Sequence, residues 1–348
     1  MAAVLNPPNT PGGSAVSGGY VTIHRRPMTV IETNGLTKRY GAGDEEVVAV
    51  DGLDLKVQSG EIFGFLGPNG AGKSTTINMF LDHVRPTDGS ATILGMNVYD
   101  EAETLRRHIG VLPEGLGLYR RLSGRRHLEF AIDWQDAADE PDAILDRVGL
   151  SGADAARSVG DYSKGMQQRL ALGMAVVGDP EVLILDEPSS GLDPHGIRQM
   201  RDLVREEAER GTTVFFSSHI LGEVEAICDR VGILYQGDLV AVDDVERLRR
   251  NVATGSELRL RVDDDVPVDI TALDDVTSVS HTGGVLRVTV ATPRAKARVV
   301  TELTSAGVTI LDVDSEQASL EDVFTAYTTG DDDIQDDRTT ANTPEMPT

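Results

Sequence analysis

The stretch Gly67-Pro68-Asn69-Gly70-Ala71-Gly72-Lys73-Ser74-Thr75 decides how the middle of this chain folds. It has the pattern of a glycine, four residues and then Gly-Lys-Ser. The apolar segment 61–66 before it is typical of a buried strand, and residues 75–81 after it have the spacing of a helix. Backbone N–H groups of a glycine-rich turn between strand and helix can surround a phosphate, and the helix N-terminus adds a favourable dipole.

Two side chains of this stretch have the chemistry that nucleotide binding requires. Lys73 would reach the β- and γ-phosphates, and the hydroxyl of Ser74 would bind Mg²⁺. The alternative is a glycine turn with an incidental lysine. Such a turn would require neither the full pattern nor its position between a strand and a helix. We therefore expect a nucleotide phosphate site.

Composition limits the classes of partner. The formal charge of −25 argues against nucleic acid, whose phosphates need cationic contacts, and against direct binding to an anionic lipid surface. No run of eighteen apolar residues occurs, so no membrane-spanning segment is expected. The single cysteine, Cys228, excludes an internal disulfide and fits a reducing cytosol.

The acidic excess is accompanied by very few lysines, since most of the 32 basic residues are arginines. This balance is typical of a protein adapted to a salt-rich cytoplasm, where screening weakens the repulsion between carboxylates. An ordinary acidic protein from a GC-rich genome is the alternative. We expect a halophilic protein that folds fully only in molar salt.

At 348 residues the chain is long enough for two domains. Residues 1–27, rich in Pro, Gly, Ser and Ala, are expected to be a disordered leader. Residues 28–245 predict an α/β nucleotide-binding domain. It opens with short antiparallel strands at 29–32 and 36–41, and it contains an all-helical insertion at about 115–177.

The remainder predicts a small second domain. Residues 255–328 combine alternating apolar positions with a helix at 292–306, a strand at 308–313 and a final helix at 320–327, which suggests an α+β domain without a catalytic constellation. Residues 329–348 are expected to be a disordered acidic tail.

Two adjacent carboxylates, Asp186 and Glu187, end the apolar segment 182–186. Ligands of open α/β sheets bind at the carboxyl ends of strands. Asp186 would hold Mg²⁺, directly or through water, and Glu187 would orient and polarise an attacking water. The alternative is that both residues belong to a helix-capping loop.

Two further candidates depend on position alone. His219 ends the predicted strand 212–219 and could contact the γ-phosphate and the water, although a single histidine at a strand end is usually structural. Tyr40, upstream of the phosphate loop, could stack on an adenine ring or serve as a core or edge residue.

Taken in order, these motifs resemble the ATP-binding subunits of ABC transporters. The resemblance covers about residues 29–240 and is carried by Tyr40, the stretch 67–75, YSKGMQQ at 162–168, VLILDEP at 182–188, SSGLD at 189–193 and His219. It implies a P-loop NTPase fold that binds ATP and Mg²⁺. It also implies a head-to-tail homodimer, in which each ATP lies between the phosphate loop of one chain and Ser163-Lys164-Gly165 of the other, and in which Asp193 couples the two sites.

The resemblance divides the predicted site residues into three sets. The catalytic set is Lys73, Glu187 and His219. The metal set is Ser74, Glu114 and Asp186. The nucleotide-binding set is Tyr40, Gly67, Pro68, Asn69, Gly70, Ala71, Gly72, Lys73, Ser74, Thr75, Ser163, Lys164, Gly165 and Asp193.

Two motifs depart from the general family pattern. The signature Leu-Ser-Gly-Gly-Gln has Tyr162, Lys164 and Met166 at its first, third and fifth positions, and Glu114 stands where the family usually has a metal-contacting glutamine. Both departures, and the segment Leu320-Glu321-Asp322-Val323-Phe324, resemble the branch that energises exporters of drugs, polysaccharides or ions with separately encoded six-helix permeases.

The resemblance therefore implies an ATP-hydrolysing exporter subunit at the cytoplasmic face of the membrane, docked on a permease. Residues 117–122 are a candidate contact edge for the permease, although their apolar side chains could equally be packing. The alternatives are an importer ATPase of the same superfamily and a soluble ABC ATPase acting in DNA repair, translation or protein assembly.

Overall fold

Three β-sheets organise the part of the chain that the structure describes, residues 28–252, 256–263, 270–290, 292–316 and 324–325. The structure is a computed structural model. In chain order the strands are β1 (Thr29–Tyr40), β2 (Val47–Leu53), β3 (Lys56–Gln58), β4 (Ile62–Leu66), β5 (Asp88–Ile93), β6 (Met96–Asn97), β7 (Ile109–Leu112), β8 (Val182–Asp186), β9 (Thr213–Ser218), β10 (Arg230–Tyr235), β11 (Asp238–Asp244), β12 (Ser256–Val262), β13 (Val276–Thr282), β14 (Val285–Val290) and β15 (Ile310–Glu316).

Helices pack between and around these sheets. They are α1 (Lys73–Phe80), α2 (Ala102–Leu105), α3 (Gly124–Gln135), α4 (Pro141–Arg147), α5 (Ala153–Ala156), α6 (Lys164–Ala175), α7 (Pro194–Glu209), α8 (Leu221–Ile227), α9 (Val245–Val252) and α10 (Pro293–Ser305). None of the helices in the described ranges is long and apolar enough to cross a membrane.

The central sheet has the strand order β11-β10-β4-β9-β8-β7, with β11 as an antiparallel edge strand and the others parallel. Every residue of β4 and β8 is buried. Parallel strands covered on both faces have near-continuous apolar sequences, and this property made both strands predictable. The predicted α/β fold of this domain is confirmed.

An antiparallel sheet, in the order β2-β1-β5-β6 with β3 beside β1, lies against the central one. Aromatic side chains fill the space between them, with the rings of Phe65 and Phe80 centred 5.2 and 5.5 Å from that of Phe215. The predicted antiparallel layer is therefore confirmed. The prediction of two separate opening strands is wrong. Strand β1 continues through both segments, with a register shift and with Gly35 at φ +55°.

Helices α3 to α6 form the helical insertion and bury Leu128, Leu145 and Leu170 in one core with the central sheet. Two serines begin the longer helices. The Ser123 hydroxyl accepts a hydrogen bond from the backbone N–H of Arg126, and the Ser163 hydroxyl accepts one from Met166. These are N-caps of the ordinary kind. The predicted helical insertion is confirmed.

The third sheet, in the order β13-β14-β12-β15, has its own core with α10. Leu258, Leu260 and Val288 lie within it, as their alternation predicts. Strand β13 was missed because most of its residues are exposed and the apolar alternation is weak. Of the final helix predicted at 320–327 only 324–325 are described, and the leader 1–27 and tail 329–348 lie outside the described residues. The domain boundaries stay predictions.

Candidate nucleotide-binding site

The order of the central strands brings the candidate residues to one edge. Strand β9 lies between β4 and β8, and β7 lies on the other side of β8, all four in parallel. Their carboxyl ends therefore lead side by side into the phosphate loop, His219, Asp186-Glu187 and Glu114. This is the edge at which α/β sheets bind ligands.

Two glycines of the phosphate loop are required by close backbone contacts. A Cβ on Gly67 would lie 2.4 Å from the carbonyl oxygen of Leu234, and a Cβ on Gly72 would lie 2.3 Å from that of Ala49. Gly72 also has φ +111°, a value that side-chain-bearing residues rarely adopt. The loop leads directly into α1, so the first N–H groups of that helix face the same space.

Lys73 lies inside this loop and is 6% exposed. Its Nζ donates to the carbonyl oxygens of Gly67, at 2.8 Å, and Pro68, at 3.3 Å. The same ammonium group lies 3.4 Å from Oε1 of Glu187. A cation is thus held between the loop and the carboxylate that follows β8.

Glu187 has an unusual backbone and an incompletely bonded side chain. Its φ is +48°, which costs a non-glycine residue about 1 kcal/mol or more and is common at functional sites. Its Oε2 lies 2.8 Å from Nδ1 of His219. Its Oε1 is buried without a hydrogen-bond partner, although Nζ of Lys73 is close to it. This oxygen atom is thus ion-paired with Lys73 and can still accept a hydrogen bond from a ligand in the cleft.

Ser217, which no sequence motif singled out, connects the carboxylate of Asp186 to the backbone of Glu187. Its hydroxyl donates to Oδ1 of Asp186 at 2.5 Å and accepts from the backbone N–H of Glu187 at 3.2 Å. All three residues are buried. The one available signal was the polar end of an otherwise apolar strand, which does not indicate where the hydroxyl points.

A cleft of about 420 Å³ opens over the loop. The sequence predicts most of its walls. Ala49 was missed because it belongs to no motif, and Ser190 was missed because the motif SSGLD at 189–193 was given a role only at Asp193. Of the predicted residues, Gly67, Ala71 and Asp186 lie next to the cleft without lining it. The lining residues are Ala49, Pro68, Asn69, Gly70, Gly72, Lys73, Ser74, Thr75, Glu114, Glu187, Ser190 and His219.

The signature residues lie elsewhere. Ser163, Lys164, Gly165 and Asp193 line a separate cavity of about 280 Å³ around the start of α6 and α7. Asp193 caps α7, because its Oδ1 accepts from the backbone N–H of Gly196 at 2.7 Å. Within one chain these residues therefore do not join the phosphate cleft.

Tyr162 explains one departure from the family signature. Its hydroxyl donates to the carbonyl oxygen of Asp154, and a Cβ on Gly124 would lie 2.4 Å from the same hydroxyl. Burial raises the pKa of Tyr162, and the Coulombic effect of Asp154 acts in the same direction. The tyrosine is thus a packing residue of the helical insertion, for which Gly124 provides the space.

Tyr40 does not line the cleft. Its ring is 43% exposed, and Nζ of Lys38 lies 5.0 Å from the ring centroid. Tyr40 pairs with Val47 of β2, two residues before Ala49, which does line the cleft. Adenine stacking by this exposed ring stays a prediction.

The residues fit a magnesium ion that is bound together with a nucleotide. No cluster of three or more His, Cys, Asp or Glu side chains within the described ranges could hold a metal alone. Mg²⁺ in nucleotide sites usually takes one or two carboxylates, water and substrate phosphates, so a full protein cage is not required. The Ser74 hydroxyl, Asp186 and Glu114 supply oxygen donors of the appropriate type beside the loop.

Comparison with known proteins identifies the family. Residues 50–190 match the family model described as ABC transporter. The chain is 37% identical to the bacitracin transport ATP-binding protein BcrA of Bacillus licheniformis, over 85% of this chain and 96% of that protein. The chain belongs to the ABC transporter ATP-binding proteins. As a member of this family of ATPases, it binds and hydrolyses ATP.

Further relatives agree on the branch of this ABC protein. It is 33% identical to the daunorubicin/doxorubicin resistance ATP-binding protein DrrA of Streptomyces peucetius, over 88% of this chain and 94% of that protein. Residues 244–328 match the model described as ATP-binding protein DrrA1-3-like, C-terminal domain. The expected resemblance to ATP-binding subunits of exporters is confirmed.

Solved structures confirm the P-loop fold of this ABC protein. An ATP-binding subunit of an ABC transporter, 30% identical, superposes with a TM-score of 0.58 over 64% of this chain and 93% of that one. An ATP-binding cassette in a dimeric post-hydrolysis state with ADP and Pi, 24% identical, superposes with a TM-score of 0.57 over 62% of this chain and 98% of that one. The second likeness concerns the fold alone.

Proposed function

We propose that this chain is the ATP-hydrolysing subunit of an ABC exporter that drives a separately encoded permease from the cytoplasmic face of the membrane. The relatives support a drug-like cargo, because the names of three of them refer to bacitracin, daunorubicin/doxorubicin and fluoroquinolones. The proposed permease, rather than this chain, would select the cargo.

The observation that carries the proposal is the position of Glu187. Its carboxylate lies on the cleft between the ammonium group of Lys73, at 3.4 Å, and the imidazole of His219, at 2.8 Å. A carboxylate at this position can accept a proton from a water molecule, and the imidazole keeps it oriented. Phosphoryl transfer needs mainly such positioning, together with cations near the transferred group.

The other residues have complementary roles in this proposal. Lys73 and the backbone N–H groups of residues 67–75 would bind the β- and γ-phosphates, and Tyr40 would stack on the adenine. Ser74, Asp186 and Glu114 would hold Mg²⁺, which supplies charge neutralisation of the phosphate oxygens when bound. His219 would orient Glu187 and contact the γ-phosphate.

A second copy of the chain would complete each site. The cavity at Ser163, Lys164 and Gly165 is formed at the start of α6, where N–H groups can bind a phosphate oxygen. It is separate from the phosphate cleft of the same chain, so a head-to-tail homodimer is the arrangement that brings the two together. Asp193, in the wall of this cavity, would couple the two sites.

The permease would dock in an apolar groove of about 390 Å³ between the end of β7 and helices α3 and α6. Phe130 and Trp134 line it and are 59% and 79% exposed. The chain links this groove to the nucleotide site, because Pro113 and Leu116 line the groove and Glu114, between them in sequence, lines the cleft. An amphipathic helix of the permease fits such a groove, and residues 117–122 would form its rim.

Glu187→Gln tests the hydrolytic role. The amide keeps the size of the side chain but cannot accept the proton, so this variant is expected to bind ATP and to accumulate as an ATP-bound dimer in size-exclusion chromatography. Phosphate release should fall by about 100-fold or more. Turnover equal to that of the unmodified chain would contradict the role assigned to Glu187.

A further inference from the structure

A buried carboxyl group joins two strand ends behind the cleft. Glu223, in α8, is 3% exposed and does not line the cleft. Its Oε2 accepts a hydrogen bond from the hydroxyl of Ser189 at 2.7 Å and another from that of Ser218 at 3.1 Å. Both serines are also buried.

These two serines adjoin the candidate catalytic groups. Ser189 follows Glu187 by two residues, and Ser218 immediately precedes His219. The Ser218 hydroxyl also accepts from the backbone N–H of Ile220 at 3.0 Å, so the segment on both sides of His219 is held. Through one oxygen atom, Glu223 ties the loop after β8 to the end of β9.

Strain in the same loop shows why such a tie is needed. Glu187 has φ +48°, and strained backbone persists only where surrounding contacts over-determine it. A buried carboxyl group is itself costly unless it is hydrogen-bonded, and the two hydroxyl groups meet that requirement. The cluster therefore stabilises one relative position of the two strand ends.

We propose that Glu223 is a positioning residue for ATP hydrolysis, which holds Glu187 and His219 at hydrogen-bonding distance through Ser189 and Ser218. This inference rests on the proposed roles of Glu187 and His219. Because Glu223 has no place in the cleft, its loss affects the chemical step and leaves nucleotide binding unchanged. Displacements of about 1 Å at a reacting centre can cost up to about 100-fold in rate.

The test compares kcat and KM for phosphate release from Mg·ATP by the full chain and its variants. Glu223→Ala is expected to lower kcat about tenfold or more and to leave KM within about twofold. Glu223→Gln is expected to recover kcat to within about threefold, because its amide oxygen can accept from both hydroxyl groups. Glu209→Ala, which removes an exposed carboxylate from the end of α7, is the control and should leave both constants unchanged.

A double-mutant cycle separates positioning from general damage. Ser189→Ala should lower kcat severalfold in the unmodified chain and should have no further effect in the Glu223→Ala background, since the bond is already lost. If Glu223→Ala does not fold, Ser189→Ala alone tests the proposal, because a lowered kcat with an unchanged KM is still expected. Three results would each overturn the proposal. The first is an unchanged kcat in Ser189→Ala and Glu223→Ala, and the second is a KM that rises as kcat falls. The third is additive effects of the two substitutions on kcat.

Glu187→Gln in the same assay distinguishes the two levels of inference. If this variant loses turnover while Glu223→Ala and Ser189→Ala hydrolyse ATP normally, the positioning role alone is refuted. If Glu187→Gln hydrolyses ATP as fast as the unmodified chain, the proposed hydrolytic site is refuted, and the positioning role with it.

Discussion

The hydroxyl of Ser217 donates to Oδ1 of Asp186 at 2.5 Å, across neighbouring strands β9 and β8. The hydroxyl oxygen of Ser217 also accepts a hydrogen bond from the backbone N–H of Glu187 at 3.2 Å. One hydroxyl group therefore orients the candidate metal ligand and the candidate catalytic carboxylate together. Its effect on both makes it a sensitive position for mutation.

Ser217→Ala is expected to reduce stability and turnover together. It removes the hydroxyl donor of a buried carboxylate oxygen, at a cost of about 1–3 kcal/mol in the free energy of unfolding, whereas the backbone N–H of Glu187 keeps the carbonyl oxygen of Ser217 at 3.3 Å. Urea unfolding and phosphate release measure the two effects. Ser280→Ala, on the exposed side of β13, is the control and should change neither. A Ser217→Ala protein of unchanged stability would show that this hydroxyl is dispensable.

Lys73→Ala is expected to weaken ATP binding about 10- to 100-fold, because a charged donor to the phosphates is worth about 1.5–3 kcal/mol. Titration with a fluorescent ATP analogue measures the affinity. Lys56→Ala removes a lysine that is paired with Glu32 on the exterior and should bind the analogue normally. Equal affinities of the two variants for the ATP analogue would contradict the phosphate-loop assignment.

The double variant Phe130→Ala, Trp134→Ala is expected to lose the permease and to keep ATP binding. Both side chains are exposed, so their removal should barely affect folding, whereas they form much of the proposed docking groove. Affinity purification of the tagged chain from detergent-solubilised membranes, followed by mass spectrometry, measures the association. The double variant Leu311→Ala, Val313→Ala removes exposed apolar groups from β15 and should retain the same membrane protein. Equal recovery with both double variants would place the contact outside the groove.

Gly124→Ala is expected to destabilise the helical insertion by about 1–3 kcal/mol, because the new Cβ would lie 2.4 Å from the Tyr162 hydroxyl. Adding Tyr162→Phe removes that oxygen atom and should restore most of the loss. Urea unfolding of the two single variants and the double variant provides the cycle. Additive destabilisation would mean that the two residues do not conflict.

Cys228 is expected to react slowly with Ellman's reagent in the folded protein at pH 8. Burial raises the pKa of its thiol well above the ordinary value, with a further contribution from Asp229, so little thiolate forms. In the unfolded chain the thiol ionises above a pH of about 8.5, whereas in the folded protein it stays neutral. The contribution of Cys228 to the free energy of unfolding therefore falls as the pH rises beyond that value. The protein in urea is the control, and equal labelling rates in both states would contradict the shift.

Sequence patterns predicted the parts of this protein that depend on local chemistry. The continuous apolar segments became the buried strands β4 and β8, and the glycine pattern became a loop between β4 and α1. Each of these features needs only neighbouring residues or burial on both faces. Strand β13 escaped prediction because it is exposed, and exposure leaves little periodic signal.

Tertiary structure alone decided which side chains meet. Ser217 bonds to Asp186 across 31 residues of sequence, and Ser189 bonds to Glu223 across 34. Both contacts exist because β9 inserts between β4 and β8, a strand order that no local pattern encodes. The motifs determined by the sequence specify which chemical groups are present. The distances among them arise from the packing of non-consecutive strands, where burial makes an unpaired polar group costly.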